Sequence, residues 1–480
     1  MVAFPNRNSL AFYIPLAVIG SFILSYFAIG RDMQFIMIGL VAVFLFMICF
    51  FSVKISLVLL IFAMLLSPEL EVGQTARREI TLRAEDLLLM VMTFGWLFRM
   101  AMYKEMAFTR KNFLNWPILI YSFIAVLSTG LGIMRGNVEP ASGALFTIKI
   151  IEYFFLFVVV INYIKEDADI DMLITSILVV GAIICVYALI FGVIGGAGEM
   201  QAPFEGKTPE RNTLAGYLVF TAALGGGILL NSPSKFEKAA IGIFLPLVLI
   251  VLLFSISRSG WTSAIVATLV LFLTSRKKGF FFIFIMIGVA LLPFVFPDIA
   301  RSRIDFTFNQ ISQSADPTYR FEFFGIRLDT SSSARIFSAI QVLHRFVEHP
   351  FIGFGITGYS FVDGQFIRTL AELGVFGLGS FIWIMVAVHR TIRTVMKMDI
   401  NPRINGLAIG FYAGFWALMI HAFTANTFII VRIAEPFWCL TGIMVVAIAK
   451  YKEKQQQQAP PATAAQPSLK RMPFFQGRTI

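Results

Sequence analysis

Charge is scarce in this sequence. Only 14% of its 480 residues are Asp, Glu, Lys or Arg, whereas soluble globular chains carry roughly 25%, so a soluble multidomain protein is excluded. Cysteine is scarcer still. Cys49, Cys185 and Cys439 lie far apart, each inside an apolar stretch, with no spacing suited to a disulfide framework or a metal site. No period of about 20–50 residues recurs along the chain, so a solenoid is excluded as well. The first apolar run, Leu10 to Gly30, lacks a convincing small-residue cleavage site, which marks an uncleaved first helix and not a secretory signal.

Apolar residues take up the space that charge leaves. Hydrophobic residues make up 58% of the chain and the mean hydropathy is +0.80. Crossing a bilayer takes about 20 mostly apolar residues, and such runs occur near 10–30, 34–52, 55–68, 85–102, 116–134, 142–163, 173–196, 214–230, 239–256, 261–275, 279–297, 368–389, 405–423 and 427–449. The expected fold class is all-α: a polytopic transmembrane helix bundle of about 12–14 spans, with one large extracytoplasmic loop containing an amphipathic helix. Four regions follow: N-terminal membrane helices over 1–297, the loop over 298–365, C-terminal membrane helices over 366–449, and a cytoplasmic tail over 450–480. The tail, with Gln455 to Gln458 and an Ala/Pro-rich stretch, has too little apolar content to fold alone.

The formal charge of +11 finds no folded polar surface on which to bind nucleic acid, and membrane topology accounts for it. With both termini cytoplasmic, the clusters Lys104/Arg110/Lys111, Lys235/Lys238, Arg276/Lys277/Lys278 and Arg390/Arg393/Lys397/Arg403 all fall inside, as short basic loops do. The outer side then holds arginine almost to the exclusion of lysine, with Lys207 the exception. A guanidinium fork grips phosphate or carboxylate oxygens bidentately and keeps its charge near lipid, so this bias points to an acidic or phosphate-bearing ligand at that face.

Several short stretches carry possible chemistry. Phe254-Ser-Ile-Ser-Arg-Ser-Gly-Trp261 is a tight turn between two apolar runs that fixes Arg258 at the membrane boundary among three hydroxyls. It reads either as an anion seat or as an arginine snorkelling to headgroups. In the loop, Ser331-Ser-Ser-Ala-Arg335 leads into Ile336, Ile340, Leu343 and Val347, the stripe of an amphipathic helix capped by Ser333 with Arg335 in its first turn. That helix stops at Glu348-His349-Pro350. The following glycines, Gly353, Gly355 and Gly358, permit a sharp return toward the membrane but do not form a dinucleotide fingerprint. The stretch from Val362 to Gly374 then brings Asp363, Gln365, Arg368 and Glu372 to the mouth of a spanning helix. Asp363, Glu372 and His349, in that order, are the candidates for a general base. Arg211, Gln365, Arg368 and His421 are accessory candidates. Ionisable residues inside spans, namely Arg99, the pair Lys149 and Glu152, and the pair Arg432 and Glu435, are either structural pairs or binding groups.

Four of these stretches, Ser257-Arg258-Ser-Gly, Ser333-Ala-Arg335, His349-Pro-Phe-Ile-Gly-Phe-Gly355 and Leu370-Ala-Glu-Leu-Gly-Val-Phe-Gly377, together with Asn212-Thr-Leu-Ala-Gly-Tyr217, resemble the O-antigen ligase and O-antigen or exopolysaccharide polymerase superfamily of bacterial inner membranes. The resemblance covers roughly residues 205 to 390 and rests on the order and spacing of short motifs; the N-terminal third matches in hydropathy alone. It implies glycan transfer from an undecaprenyl-diphosphate donor at the outer face of the inner membrane, with Arg258 and Arg335 on the diphosphate and neither metal nor cofactor required. The implied partners are the lipid-linked donor, a glycan acceptor, membrane lipids and a chain-length regulator or flippase. Ligases of the family place a histidine near the position of Asp363 to Gln365, and this chain has none there, which favours a polymerase over a ligase. A lipid-linked sugar flippase is the alternative from another class, though neither pseudo-repeated halves nor a midplane site is visible.

Overall fold

The computed structural model describes residues 51–66, 70–74, 79–82, 84–103, 112–194, 211–275, 321–323, 326–327 and 330–458, with isolated positions 44, 47, 48, 200 and 202. Its elements are α1 (Val53–Leu66), the hairpin β1 (Leu70–Gln74) and β2 (Glu79–Leu82), α2 (Ala84–Tyr103), α3 (Asn115–Met134), α4 (Pro140–Tyr163), α5 (Asp167–Leu189, continued by a π turn Ile190–Ile194), α6 (Arg211–Asn231), α7 (Lys235–Phe254) and α8 (Arg258–Thr274). A two-residue hairpin, β3 (Glu322–Phe323) and β4 (Ile326–Arg327), precedes α9 (Thr330–Arg345), α10 (Gln365–Met396), α11 (Pro402–His421) and α12 (Val431–Gln458).

Eight of these helices, α3 to α7 and α10 to α12, are long and apolar enough to cross a membrane, and α1, α2 and α8 contain shorter apolar segments. The chain is therefore a polytopic helical membrane protein. Every expected span within the described residues coincides with a helix; those near 10–30 and 279–297 lie outside them, as do most of the one near 34–52 and Arg99's side chain. Several boundaries differ by a few residues, most at the last span. The last span starts at Val431 instead of 427, because residues 422–430 form a turn, and it runs on to Gln458. The extension falls in the expected tail; Gln, Lys and Glu favour helix, and Lys450 is held by an ion pair to Asp167.

α6 lies at the centre, with most of its length buried. It meets α11 backbone to backbone: a Cβ at Gly227 would fall 2.3 Å from both the Gly406 carbonyl oxygen and the Gly410 nitrogen. Small residues permit this approach in a bilayer, where packing and not water exclusion joins helices. At one end of the bundle an ion network joins five helices: Lys54 of α1 pairs with Asp169 of α5 at 2.8 Å, Arg403 of α11 with Asp171 at 2.5 Å and with Glu237 of α7 at 2.7 Å, and Lys450 of α12 with Asp167. The opposite end, the loop end, receives α9 and the segment after it.

That segment docks into a break in α10. Gly374 has φ 68° and ψ −166°, a conformation open essentially to glycine, and the interrupted helix bonds outward. The Ala371 and Glu372 carbonyls accept from Phe354 N–H at 3.0 Å and Gly355 N–H at 2.9 Å, while Val375 and Phe376 N–H donate to the Pro350 and Phe351 carbonyls at 2.9 and 3.2 Å. The Ser128 hydroxyl, from α3, reaches the Ile352 and Glu372 carbonyl oxygens at 2.6 and 2.8 Å. Non-helical backbone at membrane depth persists where its polar groups are satisfied within protein in this way. A Cβ at Gly374 would sit 2.4 Å from the Phe351 carbonyl carbon. Gly374→Ala is expected to destabilise the chain by about 3 kcal/mol or more, read as a lower unfolding temperature of the purified protein in detergent.

Candidate functional site

The α7–α8 turn is built by its own polar groups. Ser255 Oγ donates to the Leu252 carbonyl at 2.7 Å, Trp261 Nε1 donates to the same carbonyl at 3.1 Å, and Ser257 caps α8 by accepting from Gly260 N–H at 3.2 Å. Ile256 is forced to φ 55°, a strained value for a β-branched residue. Ser257 and Ser259 hydroxyls reach Asn212 Oδ1, in the first turn of α6, at 2.9 and 3.0 Å. Of the three hydroxyls expected around Arg258, Ser255's is therefore engaged within α7 and those of Ser257 and Ser259 hold the turn to α6, while Gly260 lets α8 press against Ala215, which a Cβ would meet at 2.5 Å. Arg258 itself is half-buried at the start of α8, beside the start of α6 with Arg211.

α9 departs from expectation at its start. Ser333 is fully buried inside the helix and its hydroxyl accepts from Phe321 N–H at 3.1 Å, so it does not cap. Arg335 consequently stands in the second turn, beyond the strongest part of the helix-end field. Arg335 Nε donates to Asp363 Oδ2 at 3.2 Å, with the two side chains 25% and 36% exposed. The contact is single-pointed and uses the inner nitrogen of the guanidinium, unlike the two-point pair of Arg345 with Glu348. That second pair holds the Glu348 carboxyl below the usual carboxylate range through its hydrogen bonds from Arg345.

The other candidates bond and pack within the protein. His349 sets its ring edge on Phe354, at 4.9 Å between centroids, and Arg345 lies over Phe354 and Tyr359 at 5.1 and 5.5 Å. Arg368 and Glu372 form a buried pair at 3.2 Å, and the same Glu372 oxygen accepts from Thr357 N–H at 3.3 Å, clamping the glycine loop to α10. Gln365 is buried and its Oε1 accepts from Phe428 N–H at 3.1 Å, joining the start of α10 to the α11–α12 turn. Arg368→Ala is expected to destabilise the protein by about 3–5 kcal/mol, because it takes the cation from a buried carboxylate; Arg368→Met with Glu372→Leu should lose less. Thermal unfolding of the two variants beside wild type checks this.

His421, at the end of α11, is fully buried. Its Nδ1 lies 2.8 Å from Thr427 Oγ1, and its ring packs on Gly216 of α6, where a Cβ would come within 3.0 Å. It joins α11 to α6. His421 thus packs on α6, whose first-turn Asn212 holds the Ser257–Ser259 turn that carries Arg258, and the Arg335–Asp363 pair stands at the same end of the bundle. The structure gathers Arg211, Arg258, Arg335, Asp363 and His421 at one end of the bundle and keeps Gln365, Arg368 and Glu372 inside it. Thr427 and Asn426, whose Nδ2 donates to the Val362 carbonyl at 3.0 Å, tie the segment together. Neither carries a signal in the sequence, since each acts through partners distant in the chain.

Residues 241–382 match the family described as O-Antigen ligase. The matched segment runs from α7 into α10 and contains Arg258, Arg335, His349, Asp363, Gln365, Arg368 and Glu372. It supports the resemblance to the O-antigen ligase and polymerase superfamily drawn from the motifs. No curated protein matches the chain.

Proposed function

From that family match, we propose that this chain is a glycosyltransferase that polymerises undecaprenyl-diphosphate-linked oligosaccharide repeat units into surface polysaccharide at the outer face of the bacterial inner membrane. The observation that carries the proposal is the Arg335–Asp363 pair, held at the end of the bundle where Arg258 and Arg211 also stand. In the proposed reaction an acceptor hydroxyl oxygen attacks the anomeric carbon of the donor. The bond from that carbon to the diphosphate oxygen breaks, and its electron pair leaves with the lipid diphosphate. A diphosphate is already a good leaving group, so catalysis consists of neutralising its charge and orienting the hydroxyl. Arg258 and Arg335 do the first. Asp363, partly exposed and engaged through Oδ2 alone, takes the hydroxyl proton at Oδ1.

The ion pair links these events. In the resting protein Asp363 offsets part of the charge of Arg335. As the carboxylate accepts a proton that offset disappears, and the full charge of Arg335 acts on the diphosphate while negative charge develops there. Glu372 and His349 are assigned to the scaffold, by the buried pair with Arg368 and the aromatic contact with Phe354.

A ligase that moves finished glycan to a lipid A core or a protein is the second reading, and the family's description favours it. The acidic residue at 363, where ligases of the family place histidine, favours the polymerase. Purified protein incubated with lipid-linked repeat units alone decides: a ladder of lengthening lipid-linked products is expected, and a ligase leaves the repeat units unjoined until a separate acceptor is added.

A further inference from the structure

At the end of the bundle opposite the loop, the cations fall into two sets. Lys54, Arg403 and Lys450 are each held by carboxylates in the network that joins five helices. Arg390, Arg393 and Lys397, over the last turns of α10, are exposed and pair with no carboxylate among the described residues, although Asp399 is exposed two positions beyond Lys397. These three continue a stripe. Trp383, Val386, Arg390, Arg393 and Lys397 recur at spacings of three and four, which is one face of a helix, and Trp383 and Val386 are 45% and 41% exposed. At about 1.5 Å per residue, Arg390 stands roughly 9 Å and Trp383 roughly 20 Å inside the end of α10 at Met396. The face is therefore apolar at depth and cationic toward the membrane boundary. Beside it, α11 supplies rings. The His389 ring packs on Tyr412 and Trp416 with centroids 5.3 and 5.7 Å apart, and the Arg393 guanidinium carbon lies 6.0 Å from the Tyr412 ring centroid, at the limit of a cation–π contact. Arg393 is thus directed along the seam between α10 and α11. Membrane topology asks only for charge in the short loop at 397–401; it does not call for two guanidinia one turn apart within the helix itself.

We propose that this face of α10, at its seam with α11, holds an anionic phospholipid of the leaflet opposite the loop end, with its phosphate on Arg390 and Arg393 and its acyl chains over Val386 and Trp383. Basic seams between spanning helices take such headgroups, and the guanidinium fork suits their phosphate oxygens. A soluble phosphate matches the cations but leaves the apolar half of the stripe uncovered. A zwitterionic phospholipid covers the apolar half but brings an ammonium of its own to the cations. The test is native mass spectrometry of the purified full chain in detergent containing cardiolipin, phosphatidylglycerol or phosphatidylethanolamine at equal concentration. Wild type is expected to retain either anionic lipid about tenfold or more over phosphatidylethanolamine. Arg390→Gln with Arg393→Gln is expected to lower that retention about tenfold, whereas Lys452→Gln with Lys454→Gln, which removes the same charge from the exposed end of α12, leaves it in place. Phosphatidylethanolamine held as tightly overturns the proposal, as do equal losses in the two double variants or full displacement of the lipid by an equal concentration of inorganic phosphate. As a measurement free of variants, a phosphatidylglycerol with a photoreactive headgroup is expected to label α10 between Val386 and Lys397, and labelling confined to other helices refutes the assignment. Retention is read without a glycan donor, so its failure leaves the glycan-transfer reading untouched.

Discussion

Lysine in place of Arg335 or Arg258 is expected to abolish polymer while the protein still accumulates in the membrane. Both variants keep a positive charge, so a role in attracting lipid headgroups, or in topology, would survive the change. Lysine lacks the planar fork that grips two phosphate oxygens at once. Loss of one well-placed donor to developing charge costs about 10²–10³-fold in turnover, and that is the expected effect of each substitution. Arg335 is one-quarter exposed and Arg258 half-buried, so neither exchange opens a cavity in the core. The measurement is polymer amount and length on gels from cells expressing each variant at matched protein level. Normal polymer from both variants refutes the diphosphate roles.

The substitution Asp363→Asn gives the second large effect, with a different signature. Asparagine presents a carbonyl oxygen to Arg335 Nε in nearly the same position, so α9 stays docked, yet it cannot take a proton. General-base catalysis is worth about 10²–10⁴-fold, and kcat is expected to fall by that factor. Donor binding should hold or tighten, because Arg335 is no longer offset by a carboxylate. Kinetics of the purified variant separate the two effects. A rise in donor KM with unchanged kcat makes Asp363 a structural partner of Arg335 and removes it from the proton-transfer step.

The spans were legible because bilayer thickness sets a length that apolar runs either meet or miss, and α3 to α7, α10 and α11 lie where those runs fall. The Arg368–Glu372 contact was accessible in principle as a pair four apart on one helix. Other features depend on partners that local sequence does not contain. Gly374 breaks α10 because residues 350–355, brought back by the loop, supply replacement hydrogen bonds; no pattern within α10 announces it. Ser333 has the residue type and position of a cap, yet Phe321 claims its hydroxyl. Ser257 and Ser259 bond to Asn212, a contact that spans 45 and 47 positions of chain. The Arg335–Asp363 pair likewise crosses the loop. Sequence could nominate both residues, but only the fold joins them.

The proposed chemistry requires Arg258 and Arg335 to hold one lipid diphosphate between them. A cryo-electron-microscopy structure of the full chain in a lipid nanodisc with undecaprenyl diphosphate bound decides whether they do. Guanidinium nitrogens of both arginines are expected within about 2.7–3.2 Å of diphosphate oxygens. A diphosphate that touches only one of them, or that binds away from the loop end, contradicts the shared clamp.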